Sequence, residues 1–599
     1  MEDELIIQYI NSSLTEAEGA RRERMSLNRR NKDASRGLQD WSRKDEGQSR
    51  EFIPKTVSSL EAFAATIKRG MTQFGNWFSV DMPEDSLIDG NQVRAILMSF
   101  FNDMPCGRGK TTNISHVMSD GAKTGLLESL IIIKVHGQRV ETRNFFGNKT
   151  KPWKLKLELV PTENYYPDPT GHGLYEIHRV ERDLSHIIEM AEQGVYDKEV
   201  VDSIEQDFIL QDLEHQERKN EKNLDESESP QFRKRVVIDE YWGDILGDDG
   251  RVKHKNIMAA VANEKWLIRK PTKNPFWHGE SPFVAGPLLR VPFTVWHRAL
   301  YDQAVPLNEA MNEMFNLMLD GGLASVWGIK QIRPDWLEDP RQASNGLPQG
   351  MTLVVNDTAP PNARVVEQVT TGQIPNDALA MYNLLDKEFN AASMTNDIKL
   401  GLLPSKQVKA AEVLEASQSQ AATLDAILTD FEWYIKEVIR KSWMTILQNA
   451  DNISVSDIDS SAGRRVALTL SRLSQRERFN ALGFPRGFKV FGLSATVARS
   501  RDFQKLMALL QVIQQNPLLI NAFHKKYSED KIISHAMNLI NLDTSLIERS
   551  EQEIQQAEAE LQQAQQINQS GVAQTSSQPT GEAGTPSEIN QDAKPTGGI

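Results

Sequence analysis

The chain of 599 residues has a net charge of −14, with 39% hydrophobic and 25% charged residues. This length exceeds what one hydrophobic core supports, and the composition is that of an ordinary folded protein rather than a disordered one. The acidic balance argues against a chain that grips nucleic acid tightly, because such binding uses cations to displace the counterions of phosphates. If the chain handles DNA at all, it is expected to surround it rather than clamp it.

No apolar run approaches the roughly 18 residues of a membrane span; candidates such as Gly125–Val135 are short and carry charge. Acidic residues in Met1–Ile10 and the lack of a following apolar stretch argue against a signal peptide. The single cysteine, Cys106, excludes an intrachain disulfide framework and fits a reducing cytoplasm.

Residues 1–50 mix Arg21, Arg22, Arg24, Arg29 and Arg30 with acids and read as a helical or loosely ordered arm. Helices and strands then alternate from Phe52 to Pro292. Leu60–Met71 has helical apolar spacing, and Leu127–His136 is a β-branched run expected to form a buried strand. Lys154–Val160 alternates with period two, and Val236–Tyr241 and Phe283–Val291 are further strand candidates. The charged insert Gln211–Ser229 reads as a solvated loop or exposed helix.

Long helices are expected after Pro292. The first spans Val295–Leu323, with a kink or restart at Pro306 and an end signal at Gly321–Gly322. Leu307, Met311, Met314 and Met318 share one face, leaving Glu309, Asn312, Glu313, Asn316 and Asp320 as a polar, net-acidic stripe. Short strands and prolines follow, with strands expected at Trp327–Ile332, Met351–Val355 and Ala363–Val369. A second helix runs from Pro375 to about Ser393, and the loop Met394–Gln407 carries Lys399 and Lys406.

A third helix occupies Ser405–Ala450, free of Gly and Pro, with Leu424, Leu428, Phe431, Ile435 and Val438 on one seam. At 1.5 Å per residue such a helix reaches roughly 60 Å. Its seam is expected to need a long neighbour or further copies of the chain to cover it. Phe488–Leu493 reads as a strand returning to the earlier sheet. Helices are expected at Ser500–Gln515, Asp530–Ile540 and Ser545–Gln566, then a disordered tail over 567–599.

Two constellations test an enzymatic reading. Gly107–Thr112 contains the Gly-Lys-Thr ending of a phosphate-binding loop, but Met104 stands where its first glycine belongs. His172, His178 and His186 lack the close pairing of metal ligands on a shared face. No nucleophile elbow occurs and Cys106 has no catalytic signature around it. No catalytic residue, metal site or cofactor is assigned, and the chain is expected not to be an enzyme.

Several stretches in order resemble portal proteins of short-tailed bacteriophages, the head-to-tail connectors. They are Phe52-Ile53-Pro54-Lys55-Thr56, Met118–Val135, Val160–Thr170, Arg179–Val200 with Gly194-Val195-Tyr196-Asp197, Asn274–Val284 before Pro306-Leu307-Asn308, and Phe491–Ala495. The similarity covers roughly residues 50–550, and its strength lies in the order of the pieces, not in one invariant motif.

The resemblance implies an α+β, mainly helical portal fold assembled as a ring, usually of about twelve subunits. After the arm at 1–50, it places an α/β wing at 51–292, a stem helix at 293–324, a clip at 325–372 and a second stem helix at 373–393. A tunnel loop at 394–407, the long helix at 408–450, a return to the wing at 451–499, crown helices at 500–566 and the tail at 567–599 complete the assignment. Glu309, Asn312, Glu313, Asn316 and Asp320 would line a DNA channel, where negative charge keeps phosphates from sticking. Lys399 and Lys406 would make weak phosphate contacts at the constriction.

Implied partners are double-stranded DNA passing without sequence specificity, the large subunit of the terminase motor, the major capsid protein and scaffold, and a tail adaptor. No membrane is among them. The implied location is the capsid vertex of the virion after assembly in the host cytoplasm. Two other classes stay open: a packaging ATPase, which needs a complete phosphate-binding loop, and another structural component such as a tail or scaffold protein.

Overall fold

In the computed structural model of the chain, the described residues are 2–490 except 74–76, 85, 108–109, 141, 144–148, 151, 208–233, 248, 328–329, 344–351, 363, 369–376, 395–409, 456–457, 459–460 and 484, together with Leu506. The chain divides into two compact units, Met1–Ala498 and Arg499–Ile599, and every described residue except Leu506 lies in the first. The insert expected at Gln211–Ser229, Lys399 and Lys406, the motif Phe491–Ala495, the tail and all but one residue of the expected crown lie outside the described residues.

In chain order the first half contains α1 (Glu2–Ser35), α2 (Lys55–Gln73), β1 (Phe78–Asp81), α3 (Gly90–Asn102), β2 (Met104–Pro105), β3 (Thr111–Thr112), α4 (Ile114–Glu128), β4 (Ile131–Arg139), β5 (Thr142–Arg143), β6 (Lys149–Thr150), β7 (Trp153–Leu159), β8 (Tyr165–Pro167), β9 (Tyr175–Asp183), α5 (Leu184–Glu192), β10 (Arg235–Leu246), β11 (Val252–Ala262), β12 (Trp266–Lys273) and β13 (Phe283–Gly286). The second half contains α6 (Tyr301–Trp327), β14 (Lys330–Ile332), β15 (Val366–Gln368), α7 (Ala378–Ala392), α8 (Ala410–Gln448), α9 (Ser461–Arg472), α10 (Gln475–Leu482) and β16 (Gly487–Val490).

Two antiparallel sheets organise the α/β region. Ile131, Ile132, Ile133 and Val135 are all buried, because β4 is the central strand of the order β13-β4-β7 and is covered on both faces. The second sheet, β12-β11-β10-β9-β8, is antiparallel throughout. Its strand β11 escapes sequence reading because it opens on Val252-Lys253-His254-Lys255 and closes on a buried run rich in alanine, a residue with little strand preference. The returning strand β16 pairs with β1, Lys489 opposite Ser79 and Phe488 opposite Val80.

The C-terminal half of α8 runs through the main core. Leu428, Phe431, Tyr434, Ile435, Val438, Trp443 and Leu447 are buried within the chain itself, among residues of α3, α4, β4 and β7. Of the cover expected for this seam, a long neighbour or further copies of the chain, residues 427–447 need neither, because the chain's own sheet and helices supply it. The Asn274–Val284 segment fastens this arrangement. Gln448 donates to the Pro275 carbonyl at 2.7 Å and accepts from the Trp277 N–H at 3.2 Å, and Trp277 meets Phe479 edge-on at 5.7 Å. Replacing Phe431 by alanine leaves a large cavity there and is expected to cost about 3–5 kcal/mol, read as a lower midpoint in chemical denaturation.

A buried ion pair joins the two sheets. Lys134 of β4 bonds Glu240 of β10, and Nδ1 of His178 lies 3.3 Å from the same carboxylate. Burial pushes the Glu240 carboxyl upward, but Lys134 and His178 outweigh it and hold it well below the usual carboxylate range. Nearby His136 is pushed down to about 4, by burial first and then by Lys134. Unfolded His136 therefore takes up a proton near its ordinary value of about 6.5, whereas folded His136 resists until about 4. Stability is expected to fall as pH drops from about 6.5 to 4, and His136→Gln to flatten that part of a denaturation-midpoint profile.

Candidate channel-facing site

The stripe predicted on the first long helix sits on α6, which begins at Tyr301 rather than Val295 and continues through Gly321 and Gly322 to Trp327. Pro306 is the sixth residue of the helix, past the four N–H groups that a helix start leaves unpaired, so α6 forgoes the bond to the Asp302 carbonyl there. Asp302, in the first turn, accepts two bonds of 2.6 Å from Arg24, one of 2.9 Å from Asn31 and one of 2.9 Å from the Ala299 N–H. Burial acts to raise this carboxyl, but these donors bring it below its ordinary value.

Arg24 and Asn31 belong to α1, so the N-terminal arm is an integral helix. Its buried stripe runs Ile10, Leu14, Ala17, Arg21, Arg24, Asn28 and Asn31, spaced alternately four and three apart. The period persists while the chemistry changes. The apolar end packs on β9, β10 and β11 of the larger sheet. At the polar end Arg21 donates to the carbonyls of Thr162, Glu163 and Tyr165 and stacks 3.5 Å above the Tyr166 ring. Reading the spacing without regard to polarity would have found this stripe.

The polar stripe of α6 is in part turned inward, against the chain's own backbone. Asn312 and Asn316 are fully buried, more so than Leu307, Met314 or Met318. They bind the extended segment that follows α1. The N–H groups of Ser49, Glu51 and Ile53 donate to Asp320, Asn316 and Asn312 at 2.9, 2.8 and 2.9 Å. Asn316 donates back to the Glu51 carbonyl at 2.9 Å, and Asn312 to Gln39 at 2.7 Å. Two residues of extended chain advance about 6.6 Å and four residues of helix about 6.0 Å, so alternate amides meet side chains four apart.

Of the other predicted lining residues, Glu309 is paired with Arg30 and Glu313 is exposed. Both border a cleft of about 440 Å³ shared with Arg29, Asp33 and Arg43. Glu313 is thus the member of the stripe that faces solvent with its charge available. Asn316→Ala would strip the part-buried Glu51 amide and carbonyl of their partner, at about 1 kcal/mol. Faster hydrogen exchange at the Glu51 and Ile53 amides, with the α8 core unchanged, is the expected readout.

Helix α7 packs on α6 through Tyr382, whose ring lies 6.5 Å from that of Phe315, and buries Phe389 in the core. Between the two helices β14 and β15 pair antiparallel, Gln331 opposite Glu367, and Leu337 bridges Val355. Leu317 and Leu323 on α6, and Leu379, Met381 and Leu384 on α7, are each more than half exposed. At 100° per residue these side chains point in several directions around the two helices and do not form a single line.

The enzymatic constellations take other forms. β2 and β3 make a hairpin closed by the Cys106 N–H on the Lys110 carbonyl at 2.8 Å, where a phosphate-binding loop would join a strand to a helix. His178 is buried on β9 against Glu240 and Phe283, whereas His186 lies on α5. Among the described residues no group of three or more His, Cys, Asp or Glu side chains is gathered to hold a metal, and no helix is long and apolar enough to cross a membrane.

A search among curated proteins finds no match. The family model described as the phage SU10 portal protein matches residues 134–575, which takes in the two sheets, the α6–α7 pair and the long helix. With more than half of its length matched, the chain belongs to the phage SU10 portal protein family.

Proposed function

We propose that the chain is the ring subunit of a short-tailed phage portal, about twelve copies of which enclose the DNA channel at one vertex of the capsid. The observation that carries the ring is the leucine distribution on α6 and α7. Helices that are apolar on several sides need cover on several sides. A head-to-tail ring gives each subunit two different neighbours, one on either flank, and closes without leaving an exposed end. In this reading α6 and α7 are the stem and the β14–β15 excursion is the clip.

The clip docks the large terminase subunit during packaging and the tail adaptor afterwards, and the wing meets the major capsid protein and scaffold. The ring is assembled in the host cytoplasm and ends at the head–tail junction of the virion. Its role is structural: it holds and conducts DNA during packaging and ejection while the motor supplies the chemistry. Glu313, repeated around the axis, gives the channel a ring of negative charge that keeps phosphates moving. The α6 amide ladder is the brace behind that wall.

Two variants test this reading. Leu317→Glu combined with Leu384→Glu is expected to shift the chain from a ring-sized species to monomer in sedimentation velocity while leaving its helix content unchanged. Sedimentation as rings in the double variant would sink the assignment of these leucines to the subunit contact. Glu313→Lys is expected to leave rings intact and to slow DNA packaging severalfold in vitro; an unchanged rate would remove Glu313 from the channel wall.

A further inference from the structure

Residues 461–490 reverse the charge of the rest of the chain. They hold seven Arg and Lys residues and one acid, Glu477, in a protein of net charge −14. One of the seven, Arg478, is buried and structural: it donates to the carbonyls of Leu447 and Leu473 and to Asp451. The other six, Arg464, Arg465, Arg472, Arg476, Arg486 and Lys489, are all exposed. Glu477, whose carboxylate accepts from the Ser474 N–H and hydroxyl at the start of α10, supplies one negative charge against these six.

The fold places these cations on or beside three successive elements, α9, α10 and β16. Helix α9 buries Val466, Ala467 and Leu470 and packs on α3, which leaves Arg464, Arg465, Leu468 and Arg472 outward. The capping box of Ser474 and Glu477 sets α10 directly after it, with Arg476 in its first turn. In β16, Phe488 faces the core and its neighbour Lys489 solvent. Arg465 and Arg472 are two helical turns apart, about 10 Å along the axis.

We infer that this surface is a second DNA-contact site of the chain, one that binds the phosphate backbone of duplex DNA without reading its sequence. Five of the six exposed cations are arginines, whose planar forks bind two phosphate oxygens at once. Among the described residues of this segment Leu468 is the one large apolar side chain exposed, so charge rather than apolar anchors dominates what they offer a partner. A polyanion relieves the mutual repulsion of the six charges, and a duplex offers a phosphate about every 1.7 Å of its axis. The site lies on α9, α10 and β16 and is separate from Glu313 on α6, so it does not depend on the channel reading.

The test uses the full-length chain and a fluorescent random-sequence duplex, with anisotropy followed across a salt series. The triple variant Arg465→Gln, Arg472→Gln, Arg476→Gln spares Arg464, whose Nε donates to the Ile458 carbonyl. Wild type is expected to bind at low salt, and the triple variant to lose at least tenfold in affinity. Its slope of log affinity against log salt is expected to be shallower by about 2.7, some 0.9 for each phosphate contact removed. The matching triple lysine variant should keep most of the slope, which separates charge from any structural effect.

An unchanged slope in the glutamine variant, or no binding by wild type at low salt, overturns the inference. So does tighter binding of polyglutamate than of DNA, which would assign the surface to an acidic protein. Ring assembly is scored in the same samples, so rings without this binding, or binding without rings, separate this inference from the proposed function.

Discussion

The backbone of residues 49–53 is held by side chains of a helix, and much of the α6 region depends on that contact. Asn312, Asn316 and Asp320 stand four residues apart and meet alternate amides of an extended strand. Buried amides without partners are costly, so the match in spacing fixes both partners at once. It settles which face of α6 looks inward. It also leaves Glu313 and the leucines, rather than the asparagines, exposed on α6. Upstream, Arg24 and Asn31 fasten the first turn of the same helix through Asp302. The N-terminal arm is therefore the clamp that orients the helix.

Elements with a strong period were legible in the sequence. Lys154–Val160 alternates and forms β7, Ile131–Val135 forms the central strand β4, and the uninterrupted stretch before Ala450 forms α8. The polar stripe was legible as a stripe but not in its direction. Periodicity groups residues onto a face, whereas the direction of that face depends on what covers it, and an asparagine is as content against a peptide backbone as against water. The same holds for α1, where Arg21, Arg24, Asn28 and Asn31 continue an apolar seam in polar form. Gly321 and Gly322 read as a helix end, yet α6 continues past them to Trp327.

The long helix shows a second limit. Its length suggested support from a long neighbour or from copies of the chain, but its seam over residues 427–447 is covered by sheet and helices distant in sequence, with Trp433 left exposed on the other side. Long-range burial of this kind leaves no local mark. The need for neighbours falls instead on α6 and α7, whose exposed leucines look in several directions. Charge is likewise uneven: an acidic chain concentrates arginine on α9 and α10, so net charge alone misjudges what its separate surfaces meet.

The central claim is that α6 and α7 are completed by two flanking copies of the same chain. Electron microscopy of the purified full-length protein tests it most directly. The account predicts annular particles of about twelve units with an open centre, in which the α6–α7 pair of each unit lies between its neighbours around the hole. Dispersed single chains at every protein concentration tried, or closed dimers with the leucines facing solvent, would contradict it.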